Sequence, residues 1–391
     1  MSTPKRGDIL GTLVVIGLSF SACGPGHVPL KSEVLNSTHA VEHQWSGTGD
    51  RSSADRWWTE FQDSTLNELV NALHQDNLSI QEAWTRRSQA QAIARGAGAA
   101  RMPHVEASLS GQRSRNYDFL GTPQTSNTYG ASLSLGYEVD LWNAAGNRVR
   151  AAKLSVAAAE LDVHTLTMSL TAQLVELYYA HQLQTATAAL IRAQLETNQT
   201  LLKLLKFRFA NGLAKSTDIL QQEQNTRALA AQLPAIDGQA IILGHQLAVL
   251  MGQGPRTKKS VKLQFTQLPE VRPLPALGVP ADLLQSRPDL RAAQLRIQAV
   301  DAQLAAAMAD RYPSFRIQAS TGYGAQSFSD LLDRWVWSIA GSLVAPIFDG
   351  GRRQAEVDRT KAELDGKLLQ FKRTYLVALG DVESALVGES S

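Results

Sequence analysis

The chain repeats itself. Residues 77–105 read NLSIQEAWTRRSQAQAIARGAGAARMPHV, and residues 287–315 read RPDLRAAQLRIQAVDAQLAAAMADRYPSF. They align without a gap: Ile80 with Leu290, Ala83 with Ala293, Ala97 with Ala307, Arg101 with Arg311, Pro103 with Pro313. After each proline come an alternating segment, a turn and a second alternating segment. Each unit then re-enters a helical run, DLWNAAGNRVR from Asp140 and PIFDGGRRQAE from Pro346, and AAELD at 158–162 matches KAELD at 361–365. The period, about 200 residues, far exceeds that of a solenoid. It marks a duplicated domain half, so whatever the first unit builds, the second must build again.

The alternating segments decide the class. In the first, Val105, Ala107, Leu109 and Gly111 share one face and Glu106, Ser108, Ser110 and Gln112 the other. In the second, Tyr129, Ala131, Leu133, Leu135, Tyr137 and Val139 oppose Gly130, Ser132, Ser134, Gly136 and Glu138. In the third, Phe315, Ile317, Ala319, Thr321 and Tyr323 oppose Arg316, Gln318, Ser320 and Gly322. In the fourth, Trp335, Trp337, Ile339, Gly341, Leu343 and Ile347 share a face. Period-two runs of about ten residues with aromatics near their ends fit transmembrane barrel strands. Half-buried strands of a soluble sandwich would alternate too, but no other strand-rich region supplies a second sheet. Four strands cannot close a barrel in lipid, where an open edge leaves backbone groups unpaired. The barrel must therefore be shared among protomers.

The remainder is helical. Ala, Leu and Gln dominate, aromatics are 6% and Cys occurs once, a bias that suits long helices. A helix is expected to begin near Trp57 with Asp55 as cap, and to carry Leu66, Leu69, Val70 and Leu73 at helical spacing. After a break at 75–77 a second helix runs to Arg101, before Pro103. The longest stretch, about 147–212, would reach roughly 100 Å. Asn211-Gly212 supplies a left-handed C-cap, and Ser216 or Thr217 can cap the return helix with Asp218 in its first turn. Pro234 should kink or interrupt that return helix, which runs to Leu250. Residues 252–280 form a Pro-rich connector in which 261–265 fits a short strand.

The N-terminus is a targeting segment. Lys5 and Arg6 precede an apolar stretch, Ile9 to Phe20, too short to span a bilayer. It ends in Phe20-Ser21-Ala22-Cys23, similar to a bacterial lipobox except for Phe at the position where Leu is usual. Cleavage would leave Cys23 as a lipidated first residue; an ordinary signal peptide with a free Cys nearby is the alternative. Gly24 after the cysteine resembles outer-membrane sorting.

No catalytic constellation stands out, and the eight His form no short metal spacing. His164 and His181 fit polar positions on the long helix. A net charge of +2 gives no electrostatic reason to expect nucleic acid. The chain is therefore expected to be no enzyme, with no metal and no cofactor beyond a covalent lipid on Cys23. Tyr129, Tyr137, Trp335 and Trp337 are candidates for a membrane aromatic girdle, with loops near 113–128 and 326–334 facing the exterior. Glu106 and Glu138 would face the lumen.

These features together resemble the TolC-like outer-membrane factors, in particular the lipoprotein (NodT-type) branch serving tripartite (RND) efflux systems. The markers, in order, are the lipobox at Cys23, Trp57-Trp58 followed by Phe61 and Leu66, Asp140-Leu141-Trp142, Arg287-Pro288-Asp289, Tyr312-Pro313-Ser314 and Pro346-Ile347-Phe348-Asp349-Gly350-Gly351. The hairpin from Phe207 to Asp218 is similar to the family's periplasmic tip. The resemblance implies a mixed α+β membrane protein. Long antiparallel, coiled-coil-like helices would form a periplasmic barrel, and four transmembrane strands per protomer would close only as a homotrimer. It implies a passive export conduit for drugs or other small molecules across the outer membrane. The partners would be an inner-membrane pump, outer-membrane lipid and a periplasmic adaptor docking at Asn211, Gly212, Leu213, Ala214 and Lys215. A type I secretion channel and a non-channel structural coiled-coil lipoprotein are the alternatives.

The expected division is a signal peptide at 1–22, a lipidated linker at 23–55 and a first repeat at 56–253, with a β-hairpin at 104–140 and a helical hairpin at 146–250. A connector at 254–280 leads to a second repeat at 281–391, with a β-hairpin at 313–347. By the repeat offset a second tip would fall at about position 415 and the natural end at about 455–460. The chain is thus expected to be a truncated member whose second long hairpin is incomplete.

Overall fold

The computed structural model describes residues 56–255 and 286–390. The signal peptide, Cys23, Asp55, the linker and nearly all of the connector, including 261–265, lie outside the described residues. A short 3-10 turn, Trp57–Phe61, opens the described chain. Helices α1 (Ser64–Asp76) and α2 (Leu78–Ala99) follow. Strands β1 (His104–Tyr117) and β2 (Pro123–Val139) lead into α3 (Ala144–Ala210), which returns as α4 (Ser216–Leu250). The second unit contributes α5 (Pro288–Ala309), β3 (Ser314–Ala325), β4 (Trp335–Val344) and α6 (Arg352–Ser390).

The helix starts are set by carboxylate and amide side chains. Asp63, rather than Asp55, caps α1 by accepting from the Leu66 N–H at 3.1 Å; the segment from Trp57 is too short and too tightly wound to be that helix. Asn77 caps α2 through the Ile80 N–H at 2.9 Å and donates its amide to the Leu250 carbonyl. It therefore ties the α1–α2 break to the far end of α4. Asp140 accepts from the Ala145 and Gly146 N–H groups ahead of α3, and Asp349 does the same for Gly351 and Arg353 ahead of α6. Each strand-to-helix junction is thus held by an aspartate, though the two stand at positions the repeat does not equate. Pro234 does not interrupt α4, which is continuous through it.

Two clusters hold the helices. The first joins Leu66, Leu69, Val70 and Leu73 of α1 to Ile80, Leu174, Val175, Tyr178, Leu247 and Met251, with Trp57, Trp58 and Phe61 packed against it. The second joins Leu290, Ile297, Val300, Leu304 and Ala307 of α5 to Val357, Leu364, Phe371, Tyr375, Ala378 and Leu379 of α6. At Gly252 the chain turns with φ +71°, and a Cβ would lie 2.5 Å from the Asp76 carbonyl oxygen, so only glycine closes the first unit against α1. Helix α5 packs most extensively on α3 of the first unit, which welds the two units side by side.

The four strands form one antiparallel sheet in the order β1-β2-β3-β4. Both ends of that order, β1 and β4, are edges. The first hairpin departs from expectation. Residues 113–117 and 123–128 continue the strands, leaving a turn of 118–122 in place of a long loop. These residues are polar on both faces, so no hydrophobic alternation signals them; the ladder of backbone bonds carries them instead. In the second hairpin β4 stops at Val344. Ile347 lies beyond it, because Pro346 has no N–H to continue the ladder.

Candidate functional site

The sheet register sorts the side chains into two surfaces. On one lie Val105, Leu109, Leu133, Leu135, Tyr137, Val139, Phe315, Ile339 and Leu343, cross-strand neighbours by pairing. Tyr129, Trp335 and Trp337 share this face at one end, with Tyr137 near the other. Trp335 and Trp337 are 62% and 64% exposed, too open for a packed soluble core. Tyr129 stacks edge-on against Phe328 at 5.8 Å, and the Trp335 indole N–H donates to Thr321.

The opposite surface is largely hydroxylic, interrupted on β4 by Val336, Ala340 and Val344. Ser108 bonds Ser132 at 2.7 Å, Ser320 bonds Ser338 at 2.9 Å and Ser114 bonds Ser126 at 2.9 Å. Glu106 and Glu138 share this face. Glu138 is paired across β2 and β3 with Arg316 at 2.9 Å. Alternation alone places Glu138 and Arg316 on one face; only the inter-repeat register brings them together.

Where sheet meets helices, the two units interlock. The Trp142 indole N–H donates to the Pro313 carbonyl at 2.7 Å, and its ring packs on Tyr312 at 4.9 Å. Arg148 pairs with Asp310 beside them. These residues line an open cavity of about 800 Å³ with Glu138, Arg316, Arg353 and Glu356. The motifs Asp140-Leu141-Trp142 and Tyr312-Pro313-Ser314 were visible in sequence only as separate markers; the fold makes them one joint. Arg287 and Asp289 form a second joint at the start of α5. Burial by itself would raise the Asp289 carboxyl, but its bond to Arg287 at 2.8 Å holds it below the usual carboxylate range. Arg287 also reaches Asp381 of α6 at 3.2 Å.

The tip lies at the far end of the α3–α4 hairpin. The Leu213 N–H reaches back to the Arg208 carbonyl and the Gly212 N–H to that of Phe209, with Gly212 at φ +75°, the left-handed stop that Gly supplies. Neither Ser216 nor Thr217 caps α4. Lys215 occupies the cap position and its N–H donates to the Asp218 carboxylate at 3.1 Å, since Ser216 is already the first helical residue. Asn211, Gly212, Leu213 and Lys215 form the turn with Ala214 half-buried among them, and Leu213 is 69% exposed. Phe207 and Phe209 are also exposed, and the sequence reading, which began the tip hairpin at Phe207, gave neither ring a contact role. Below the tip, Lys206–Glu223 at 2.7 Å, Gln222–Asn198 at 2.7 Å and Arg192–Asp237 at 2.6 Å clamp the two helices together. The Lys206 bond holds the Glu223 carboxyl below its ordinary value. Among the described residues no group of His, Cys, Asp and Glu could hold a metal ion.

This architecture recurs in known proteins. The chain is 25% identical to the outer-membrane channel OprN, with a TM-score of 0.79 over 89% of this chain and 82% of that one. VceC of Vibrio cholerae gives 25% identity and a TM-score of 0.77, covering 87% and 82%. In sequence it is 29% identical over 389 residues to the pyoverdine export outer membrane protein OpmQ of Pseudomonas aeruginosa, covering 96% of this chain and 80% of OpmQ. It is 28% identical to nodulation protein T of Rhizobium leguminosarum bv. viciae, covering 95% and 77%. The model of one family, the outer membrane efflux proteins, matches residues 69–253 and again 279–388, following the duplication first seen in the sequence. With its two-faced sheet, long helical hairpin and repeated match, the chain belongs to the outer membrane efflux protein family.

Proposed function

We propose that three copies of this chain close their sheets into one twelve-stranded barrel and line up their helices as a duct below it. The barrel would be a passive exit for small molecules expelled by an inner-membrane pump. The observation that carries this is the two-faced, open-edged sheet. The apolar, aromatic-ended face suits lipid and the hydroxylic face suits water. The unpaired edges of β1 and β4 need each other's counterpart in a second copy. An even number of strands results, as bacterial barrels require.

Helix α2 supports the same reading. By the repeat alignment Arg86 stands where Arg296 stands in α5, and Asp365 of α6 where Asp162 stands in α3. Arg296 and Asp162 are paired inside the chain. The α3–α5 seam would recur between subunits, with α2 against α6 of a neighbour and Arg86 beside Asp365 of the partner subunit.

Tyr129, Tyr137, Trp335 and Trp337 would form the interfacial girdle, and a lipidated Cys23 would add an anchor to the outer membrane. The exposed turn from Asn211 to Lys215, flanked by Phe207 and Phe209, is the surface for a periplasmic adaptor. The name of the related OpmQ, a pyoverdine exporter, favours a small-molecule cargo. The test is restoration of drug resistance in a strain lacking its own outer-membrane factor, alongside single-channel conductance in planar bilayers. A protein that assembles but neither conducts nor restores resistance would sink the proposal.

A further inference from the structure

The first hairpin extends past the second, and its charges are not distributed evenly. Beyond the row of Gly111, Tyr129 and Ala325, β1 continues through Gln112, Arg113, Ser114, Arg115, Asn116 and Tyr117. Alternation and pairing put Arg113 opposite Asn127 and Arg115 opposite Thr125, on the face that carries Tyr129, Leu133 and Leu109. The hydroxylic face of the same extension holds Gln112, Ser114, Asn116, Gln124, Ser126 and Thr128, with no charge at all. Both cations of the extension therefore sit on the outward side. Both are exposed, and neither has an ion pair or side-chain hydrogen bond among the described residues. Asp118, in the adjacent turn, is occupied by the N–H groups of Leu120 and Thr122.

The height of these arginines follows from the strand. From Val139 to Tyr129 the apolar face covers ten residue steps, about 34 Å along the strand. Tilted as barrel strands are, this spans roughly 25 Å, the height of the apolar band of an outer-membrane barrel. Arg113 and Arg115 begin one step of the face past that band, where headgroups lie. They are about 7 Å apart along the strand, and guanidinium groups bind phosphate through paired donors.

We infer that Arg113 and Arg115 form a binding site for the phosphate groups of an outer-leaflet phosphorylated saccharolipid of the lipid A type. The site rests on the apolar face meeting lipid, as proposed above. It is absent from the second unit, whose strands β3 and β4 end at Ala325 and begin at Trp335. It would make each protomer hold its lipid at one fixed place on its rim.

The test uses the full chain in phosphatidylethanolamine vesicles with and without bisphosphorylated lipid A, and a third sample given soluble inorganic phosphate. Lipid retained per protein is measured after mild detergent extraction. Arg113→Gln with Arg115→Gln should lower lipid A affinity about 30-fold, roughly fivefold for each arginine near an anionic surface. The double Lys variant should keep most of it. Adding Gln112→Arg and Asn116→Arg to the Gln pair restores the charge on the wrong face and should not restore binding. Circular dichroism should be unchanged throughout, since every altered side chain is exposed. Equal retention by wild type and the Gln pair, rescue by wrong-face arginines, or full displacement by inorganic phosphate would each overturn the site while leaving the channel reading intact. Failure of the wild type to insert would overturn both.

Discussion

Helices α2 and α5 descend from one ancestral segment, yet they live in different surroundings. In α5, the face of Leu290, Ile297 and Leu304 packs on α6, and a stripe of Ala292, Ala299, Ala302, Ala306 and Ala309 is buried as well. Side chains this small let α5 lie close along α3. In α2 only Ile80 and Ala83 are buried. Glu82, Gln89, Ala92, Gly96 and Ala99, which stand where the alanine stripe stands in α5, are exposed. The difference is not one of helix-forming ability. It measures how much of a duplicated fold's packing one copy can satisfy alone: the inner seam is filled by the chain itself, and its outer twin is left exposed, as the proposed assembly requires.

The comparison can be broken most forcefully in the core. Ile297→Ala, at a fully buried α5 site, is expected to cost about 2–5 kcal/mol. Arg87→Ala, at the equivalent α2 site, should cost less, about 1 kcal/mol, because its pair with Glu160 is long, at 3.5 Å, and only half-buried. Denaturant unfolding of the detergent-solubilised protein, followed by circular dichroism, would read both. Equal costs would mean the two helices are packed alike after all.

Overpacking separates the seams next. Ala302→Leu should destabilise the single chain by about 1–3 kcal/mol. Ala92→Leu should leave the protomer within about 0.5 kcal/mol and instead abolish the proposed trimer, with native electrophoresis as the readout. A trimer that tolerates Ala92→Leu would remove α2 from the interface. Charge can be tested in the same place: Arg86→Asp should reduce assembly several-fold, and Asp365→Arg in the same chain should recover it. Disulfide trapping of engineered cysteines on α2 and α6 is simple to interpret, since the native chain holds a single Cys.

At the strand-to-helix junction the two units should behave as equals. Asp140→Ala and Asp349→Ala are each expected to cost about 0.5–2 kcal/mol, and hydrogen exchange of the first turns of α3 and α6 would show where. The smallest effect is one of pH. Burial pushes His181 below its ordinary value, so the folded protein prefers the neutral ring. A depressed folded pKa gives stability that is complete above the unfolded value near 6.5 and is lost as pH falls through the folded one. Thermal midpoints should drop between neutral pH and about pH 5, and His181→Gln should flatten that part of the slope.

The fold was legible where periodicity speaks. Strict alternation around Leu133 and Ile339 and an ungapped repeat from Ile80 to Pro103 specify strands, helices and their order. It was not legible where backbone pairing acts without side-chain contrast. Residues 113–117 have no hydrophobic face to lose by misreading, so an extended ladder passed for a loop. Caps were misplaced for a related reason: Ser216 and Thr217 both suit a helix start, and which residue lies just outside it is fixed by the exit geometry at Gly212, while Asp218 does lie in the first turn. The site was legible as residue types but not as pairs. Glu138 and Arg316 lie 178 positions apart, and no local pattern links them.

The serine pairs of the sheet have a consequence for traffic. A hydroxyl already satisfied by its neighbour offers a passing solute little to gain by stopping, because any new hydrogen bond displaces an existing one. Conduction requires that binding be weak enough to leave. If this face lines the passage as proposed, a wall of mutually engaged hydroxyls with Glu138 neutralised by Arg316 would present no deep energy well from Ser108 to Ser338, leaving Glu106 as the carboxylate a cation would meet. Residence times should be short for solutes of different shape and charge, so selection would fall to whatever loads the passage rather than to the passage itself.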